Sequence, residues 1–214
     1  MSHPQAYGTF ARRGGHTFRT SAYIQWGDSK KSIGASLLLN PGSADFNHAH
    51  HPGLMETLHT SMQASGAIKP DPTMEQLILF LEAIYGGETP LTGRFHLYNL
   101  FNLQNAKSVH AVDQFEALVH SDVCGIRDSL IPIGELQSHP WLLIGWGVER
   151  RASWNNLELS KRGWLDLISQ AGVPFFGKMH PKHNNYYHPC PRIPTRRPDM
   201  LNDLVAIYKE QFGS

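Results

Sequence analysis

The sequence predicts an α/β fold: a three-layer α/β/α sandwich around a four-stranded, mainly parallel central sheet, in one domain covering residues 1–214. Short apolar segments alternate with longer amphipathic segments along the chain, an order typical of strand–helix–strand units. The apolar segments are nearly continuous, which indicates strands covered by helices on both faces. A chain of 214 residues with 41% hydrophobic residues is large enough to bury the core that such a domain requires.

Four apolar segments are predicted to form the buried strands. They are SLLLN at 36–40, RFHLYNLF at 94–101, WLLIGWG at 141–147 and VPFFGKM at 173–179. A further extended segment, FRTSAYIQWGD at 18–28, is expected to form an extra strand or an arm that packs an aromatic edge. Residues 1–30 are therefore interpreted as an N-terminal addition to the domain.

Amphipathic helices are predicted between these strands. Asp71 as a cap and Pro72 in the first turn begin one helix, which ends at Gly86 and Gly87. Further helices are expected over 53–64, 112–130, 157–171 and 198–212. The segment 181–197 is rich in His, Asn, Tyr, Pro and Arg without any periodicity, which predicts a long loop of the kind that often carries function.

The composition excludes several classes of protein. No segment approaches the ~20 apolar residues of a membrane span, so no membrane partner is expected. The first 18 residues lack the apolar core of a signal peptide, which favours a cytoplasmic location. The two cysteines, Cys124 and Cys190, are too few for a disulfide framework or a four-cysteine iron–sulfur cluster. We expect no cofactor and a monomer.

The formal net charge of +1 hides an uneven distribution along the chain. Residues 32–150 carry twelve acidic and five basic side chains, whereas no acidic residue lies between Asp166 and Asp199. The basic residues in that acid-free stretch are Lys178, Lys182, Arg192, Arg196 and Arg197. Local fields decide which polyanion a surface attracts, so a near-neutral total does not exclude DNA, although a charge run is also typical of a solvated surface.

Polar residues follow the predicted strands at the points where they end. Asn40 and Gly42 follow the first strand, Asn99 ends the second, and His180 follows the fourth. Ligands of open α/β sheets bind outside the carboxyl ends of the strands, so these residues are candidates for a site. The alternative is that Asn40 and Asn99 only cap helices or satisfy loop backbone, as asparagine often does after a strand.

The order of these segments resembles the uracil-DNA glycosylase superfamily. LLLNPG resembles its first motif, especially in the mismatch-specific branch with an Asn-Pro-Gly turn, and HLYN is similar to its second strand. WLLIGWG and VPFFGKMHPKH are similar to its third and final strands. The whole chain looks still more like domain of unknown function family 1643. The resemblance covers roughly residues 18–195 and implies a uracil-DNA glycosylase-like fold and a monofunctional DNA glycosylase, a hydrolase acting on a flipped base.

The resemblance also implies catalytic roles. Asn40 would take the place of the catalytic Asp or Asn, but an amide has no useful proton affinity, so its carbonyl could only orient a water. Asp45 could activate that water, or it could instead cap the following helix. His180 could donate a hydrogen bond to the leaving base, with His188 as a rival because each is followed by proline. No lysine is clearly placed for Schiff-base strand cleavage, although Lys178 is close enough to keep that reaction open.

Base and DNA recognition follow from the same resemblance. Asn99 would read the base edge and Phe46 could stack on its face. Gly42 stands where the strict uracil enzymes have a bulky Tyr, which predicts space for a mismatched thymine or a C5-modified pyrimidine. The DNA-binding candidates are Lys178, Lys182, Arg192, Arg196 and Arg197 as phosphate contacts, with Tyr186 or Tyr187 as stacking or wedge residues.

Two alternatives remain at the level of sequence. One is a non-catalytic nucleic-acid or nucleotide-binding module on the same fold, because fold does not fix chemistry; a nucleoside or nucleotide hydrolase is the nearby enzymatic variant. The other is a metal-dependent hydrolase that uses clustered histidines, although their spacing matches no familiar ligand motif. Those histidines are His48, His50, His51, His180, His183 and His188, with Asp45 as a further ligand.

Overall fold

One sheet of eight strands lies at the centre of the structure. The computed structural model describes residues 3–46, 53–87 and 90–213. The strands hydrogen-bond in the order β4-β5-β1-β2-β6-β3-β7-β8. They are β1 (Gln5–Arg13), β2 (His16–Trp26), β3 (Ser32–Leu38), β4 (Asp45–Phe46), β5 (Gln63–Lys69), β6 (Gly93–Asn99), β7 (Leu142–Gly145) and β8 (Phe175–Phe176).

The α/β class is confirmed, but the prediction of a four-stranded, mainly parallel sheet is wrong. The four predicted strands are present as the parallel neighbours β6, β3, β7 and β8. The same sheet continues through β2, β1, β5 and β4, and every pairing in that half is antiparallel. The physical reason lies in the N-terminal segment, where buried and accessible residues alternate along β1 as in a strand with one solvated face. The segment predicted as an extra strand or arm is β2, which lies inside the sheet.

Six α-helices flank the sheet in the described residues. The helix predicted after Asp71 is confirmed, because the Asp71 Oδ1 atom accepts hydrogen bonds from Thr73 N and Met74 N, both at 3.0 Å. The helix predicted over 112–130 instead ends at His120, before Asp122 takes a left-handed backbone with φ of 56°. None of the helices in the described ranges has the length and apolar character needed to cross a membrane. The helices are α1 (Leu54–Ser61), α2 (Pro72–Tyr85), α3 (Ser108–His120), α4 (Ile133–Gln137), α5 (Asn155–Ala171) and α6 (Arg197–Phe212).

The core consists of two clusters, one on each face of the sheet. Leu38 belongs to the first cluster with side chains of α1, α2 and α6, and Leu37 belongs to the second with side chains of α3, α4 and α5. Successive residues of a strand point to opposite faces, so β3 contributes to both clusters. This arrangement encloses the parallel strands between helices and leaves their carboxyl ends free to form a site.

A buried histidine network lies between β3, β6 and α4. The Tyr98 hydroxyl donates to Glu135 Oε1 at 2.8 Å. Because that hydroxyl has one proton, His139 Nε2 donates to the Tyr98 oxygen at 2.8 Å, and His139 Nδ1 accepts from the Ser32 hydroxyl at 2.7 Å. Burial, and next the charge of His96, lowers the pKa of His139 to about 4. The network therefore requires a neutral imidazole.

We expect this network to make stability depend on pH. The unfolded chain protonates His139 near its ordinary pKa of 6.5, whereas the folded protein keeps it neutral down to about 4. The contribution of the neutral His139 to the free energy of unfolding is thus fully present above pH 6.5. As the pH falls from 6.5 to about 4, the free energy of unfolding decreases by roughly 3 kcal/mol. Urea unfolding of the native protein and of His139→Gln at pH 7 and pH 4 should give a smaller pH effect for the variant. Equal pH effects in the two proteins would rule the network out as the cause.

Candidate functional site

A cavity of about 440 Å³ lies at the carboxyl ends of the parallel strands. Asn40 and Gly42, just after β3, line one wall, and Trp146 and Gly147, just after β7, line another. The loop around His188 closes a third side. The cavity therefore lies at the edge of the sheet where the sequence predicts a ligand site.

Four helices begin at this cavity. Residues from the first turns of α2, α3, α5 and α6 all contribute to its lining. A helix N-terminus carries about half a positive charge, so this convergence favours anionic groups. Carboxylates already occupy two of the four: Asp71 caps α2, and Glu116 accepts hydrogen bonds from Asn156 N and Leu157 N at the start of α5. The starts of α3 and α6 have no side-chain cap.

Arg19 forms a buried cation in the wall of this cavity. Its side chain is 3% exposed, and its Nε and Nη1 atoms have no hydrogen-bond partner among the described residues. The ion pairs formed within the described ranges do not include it. Burial lowers the pKa of Arg19 to about 10, an effect that the charge of Asp71 partly offsets, so the guanidinium remains charged at neutral pH. An unpaired buried charge costs several kcal/mol, which indicates that a ligand group completes this site.

A bulge in the N-terminal hairpin directs Arg19 towards the cavity. The β1–β2 register pairs Thr9 with Ser21 and then Phe10 with Arg19, so Thr20 is skipped. Directly paired residues point to the same face of a sheet, and Phe10 belongs to the α2–α6 face. The extra residue thus shifts the alternation of β2 by one and turns Arg19 inward in place of Thr20.

Asp71 and Gly42 approach each other closely in the cavity. A Cβ atom at Gly42 would lie 2.6 Å from Asp71 Oδ2, which is shorter than any normal contact. Asp71 is 7% exposed, and its Oδ1 atom is used by the helix cap while Oδ2 faces Gly42. The expectation that Gly42 leaves space for a larger base is therefore corrected, because the carboxylate of Asp71 occupies that space.

Asn40 lies in the cavity with its amide held in one orientation. Its Nδ2 atom donates to Asn105 O at 2.8 Å and to Pro41 O at 3.2 Å. Both bonds use the amino end of the amide, so the carbonyl oxygen is the group that remains available to a water or a ligand. This arrangement is compatible with the water-orienting role expected for Asn40.

Four of the seven residues predicted for catalysis or base recognition do not line the cavity. Asp45 lies in the edge strand β4, where its Oδ1 atom accepts from Phe46 N at 2.8 Å. Phe46 is 2% exposed and packs edge-on against Phe10 in the core, so its ring has no free face for a base. Asn99 is buried at the end of β6, on the face of Leu38, with an unpartnered Oδ1 atom. His180 stacks on His183 with ring centroids 4.8 Å apart.

His188, and not His180, belongs to the cavity wall. Its Nδ1 atom lies 3.2 Å from Cys190 N and 3.0 Å from Cys190 O, which fixes the ring. Burial lowers the pKa of His188, so the neutral imidazole is favoured. Of the two candidate His-Pro segments that begin at His180 and His188, the second is therefore the one that could contact a ligand.

The residues predicted to bind DNA divide into two groups. Arg192 and Arg197 line the cavity together with Tyr187, and Arg192 is exposed at its mouth. The others lie away from it: Lys178 pairs with Asp203, Tyr186 packs edge-on against Trp146, and Lys182 and Arg196 are exposed.

The described side chains do not support the metal alternative. No three His, Cys, Asp or Glu residues within the described ranges come together as metal ligands. His48, His50 and His51 lie outside those ranges.

Three residues that line the cavity are not predicted as site residues from the sequence. Alternation along a regular strand predicts that Arg19 faces solvent, because no sequence pattern indicates the bulge. Asp71 reads only as a helix cap. Lys161 is 5% exposed and donates to Glu158 Oε1 at 2.8 Å and Asn185 Oδ1 at 3.1 Å, so its charge is paired, unlike that of Arg19.

Comparison of the chain with protein-family models, curated proteins and solved structures finds no significant match. The proposed function therefore rests on the geometry of the cavity and the order of the sequence motifs.

Proposed function

We propose that this protein is a DNA glycosylase, which takes one flipped nucleotide into the cavity and hydrolyses the bond between its base and its sugar. The observation that carries the proposal is the meeting of a fixed amide, Asn40, and a carboxylate, Asp71, in one electropositive cavity. Asn40 orients a water through its carbonyl oxygen, and Asp71 Oδ2 takes the proton of that water. Asp71 thus replaces Asp45 as the proposed general base.

The fold supports the same proposal. The four parallel strands carry the four motifs in chain order, and the Asn-Pro-Gly turn and the second His-Pro segment lie at one cavity. In the proposed function these parallel strands correspond to the sheet that the sequence resemblance implies, and the antiparallel strands are an addition to it. The cavity volume of about 440 Å³ also lies in the range of small-ligand sites.

Base release from DNA tests the proposal directly. Purified protein is incubated with DNAs that carry different bases, and mass spectrometry identifies the free base. DNAs that carry uracil, mismatched thymine and C5-modified pyrimidines are compared. The sequence resemblance implies a pyrimidine, and the carboxylate of Asp71 beside Gly42 favours uracil over a C5-substituted base. The Asn40→Ala variant is expected to bind DNA but to release no base. Asp45→Ala is the matched control, because Asp45 lies outside the cavity. Equal losses in both variants would count against the assignment of the cavity.

A nucleotide-binding module is the second candidate function. The observation that favours it is the cation Arg19 deep in the cavity, since an enclosed charge can also serve to hold a small anionic ligand. Release of no base from any DNA, together with binding of free nucleotides, would favour this alternative.

Salt dependence is expected to distinguish the two groups of basic residues. Each phosphate contact that is lost should lower the slope of log affinity against log salt by about 0.9 for duplex DNA. Arg192→Gln should show this change, because Arg192 is exposed at the cavity mouth. Lys178→Gln is the control, because Lys178 already pairs with Asp203. Fluorescence anisotropy at several salt concentrations measures the slope. A DNA affinity that does not change with salt concentration would contradict phosphate binding.

A further inference from the structure

The charges of the cavity are ordered by depth. Arg192 is exposed and Arg197 is half-buried, whereas Arg19 is 3% exposed. A nucleotide flipped out of DNA enters a pocket with its base first, and its phosphates stay with the strand. The cations at the mouth therefore suit phosphates, and the buried guanidinium of Arg19 suits the group that reaches deepest, which is the base.

Cleavage of a glycosidic bond creates negative charge on that base. The oxygen of water bonds to the C1′ carbon of the sugar, and its proton passes to Asp71. The bond between C1′ and the base nitrogen breaks, and its electron pair leaves with the base. In a pyrimidine this charge spreads to the carbonyl oxygen beside the glycosidic nitrogen, whereas an unmodified purine has no oxygen at that position.

We infer that Arg19 binds the departing base as an anion, donating hydrogen bonds to the carbonyl oxygen beside its glycosidic nitrogen. The inference rests on the proposed function and assigns its substrate class as pyrimidine. The Arg19 side chain lines the cavity, and its Nε and Nη1 atoms are buried without a hydrogen-bond partner among the described residues. The base anion is held until solvent protonates it, so the site needs no further co-reactant. Fixed donors aimed at developing charge are among the strongest contributions to catalysis.

Binding of an anionic pyrimidine tests this site without DNA or turnover. The probe is barbiturate, which is anionic at neutral pH, and inorganic phosphate is the comparison. Calorimetry should show barbiturate binding that weakens roughly 10- to 100-fold in Arg19→Gln, because a hydrogen bond to a charged group is lost. Phosphate binding should not change. Arg94→Gln is the matched control, since Arg94 donates to Gln25 Oε1 at 2.6 Å outside the cavity.

The stability of the ligand-free protein separates a ligand-binding arginine from a structural one. Removal of an unpaired buried charge should raise the Tm, and we expect Arg19→Met to raise it by roughly 4 °C. The same variant should gain nothing from barbiturate, which stabilises the native protein. A lower Tm for Arg19→Met would show that the guanidinium holds the fold together and would overturn the inference. Unchanged barbiturate affinity in Arg19→Gln, or loss of phosphate binding instead, would overturn it as well.

A comparison of two bases that differ as leaving groups, uracil and 5-fluorouracil, tests the role of Arg19 in base release. Fluorine at C5 makes the base a better leaving group that needs less help from a cation. Arg19→Gln should therefore slow release of uracil from DNA by about 10²-fold or more, and slow release of 5-fluorouracil less. Equal slowing of the two bases would contradict the role. If native protein releases neither base but binds barbiturate through Arg19, the proposed glycosylase fails while the anion site stands.

Discussion

Replacement of Asp71 by asparagine is expected to lower the rate of base release by about 10³-fold, within the usual range for loss of a general base. The carboxylate Oδ2 atom beside Gly42 accepts the proton of water in the proposed reaction, and an amide cannot do so. The Oδ1 atom, which holds Thr73 N and Met74 N, is retained in asparagine. Because Asn and Asp cap helices about equally well, the cap should contribute less than ~1 kcal/mol to any change in the free energy of unfolding. Loss of the negative charge that partly offsets the burial of Arg19 adds a further cost.

Single-turnover release of base and urea unfolding, measured on the same samples, separate the two effects. Asp45→Asn is the matched control, since Asp45 lies in the edge strand β4 outside the cavity. A rate for Asp71→Asn close to that of the native protein would remove Asp71 from the mechanism. A large loss of stability would instead assign it a purely structural role.

Substitution of Gly42 by alanine is expected to damage stability and activity together. The new Cβ atom would lie 2.6 Å from Asp71 Oδ2, so the carboxylate must move away from the start of α2. Loss of a helix cap costs about 0.5–2 kcal/mol, and we expect a decrease of that size in the free energy of unfolding. Base release should fall with it, because the same movement displaces the proposed general base.

A double-mutant cycle tests whether this contact is the cause. In an Asp71→Ser background the shorter side chain leaves room, so Gly42→Ala should cost much less stability than it does alone. Gly134→Ala is the control, because nothing lies within 4 Å of its Cβ position. Equal costs of Gly42→Ala in both backgrounds would show that its effect does not pass through Asp71.

The parallel half of the fold could be predicted from local sequence. Continuous apolar segments such as LLIG of β7 have few alternatives to a buried strand, and Asp71-Pro72 is a strong start signal for a helix. The antiparallel half of the sheet could be predicted less well than the parallel half. In β5, QASGAIK has small residues and weak alternation, and only its pairing with β1 and β4 makes it a strand.

The candidate site could be predicted only where it follows a strand. Asn40 and Gly42 reach the cavity because the carboxyl end of β3 reaches it. The sequence predicts that Phe46 stacks on a base, because it lies close to the first motif. Closeness in sequence does not determine which way a ring points, and packing against Phe10 places Phe46 in the core. Arg19 and Asp71 come from distant elements, and only the tertiary structure brings them into one cavity.

The bulge at Thr20 means that the number of residues in the hairpin, and not only their identity, determines what faces the cavity. Deletion of one residue between the hairpin turn and Arg19 would allow regular pairing, with Thr20 opposite Phe10 and Arg19 turned to the other face of the sheet. Insertions and deletions in this hairpin should therefore change the chemistry of the cavity without altering any residue in its wall. Relatives that differ in hairpin length could accordingly keep every strand-end motif and still bind a different ligand.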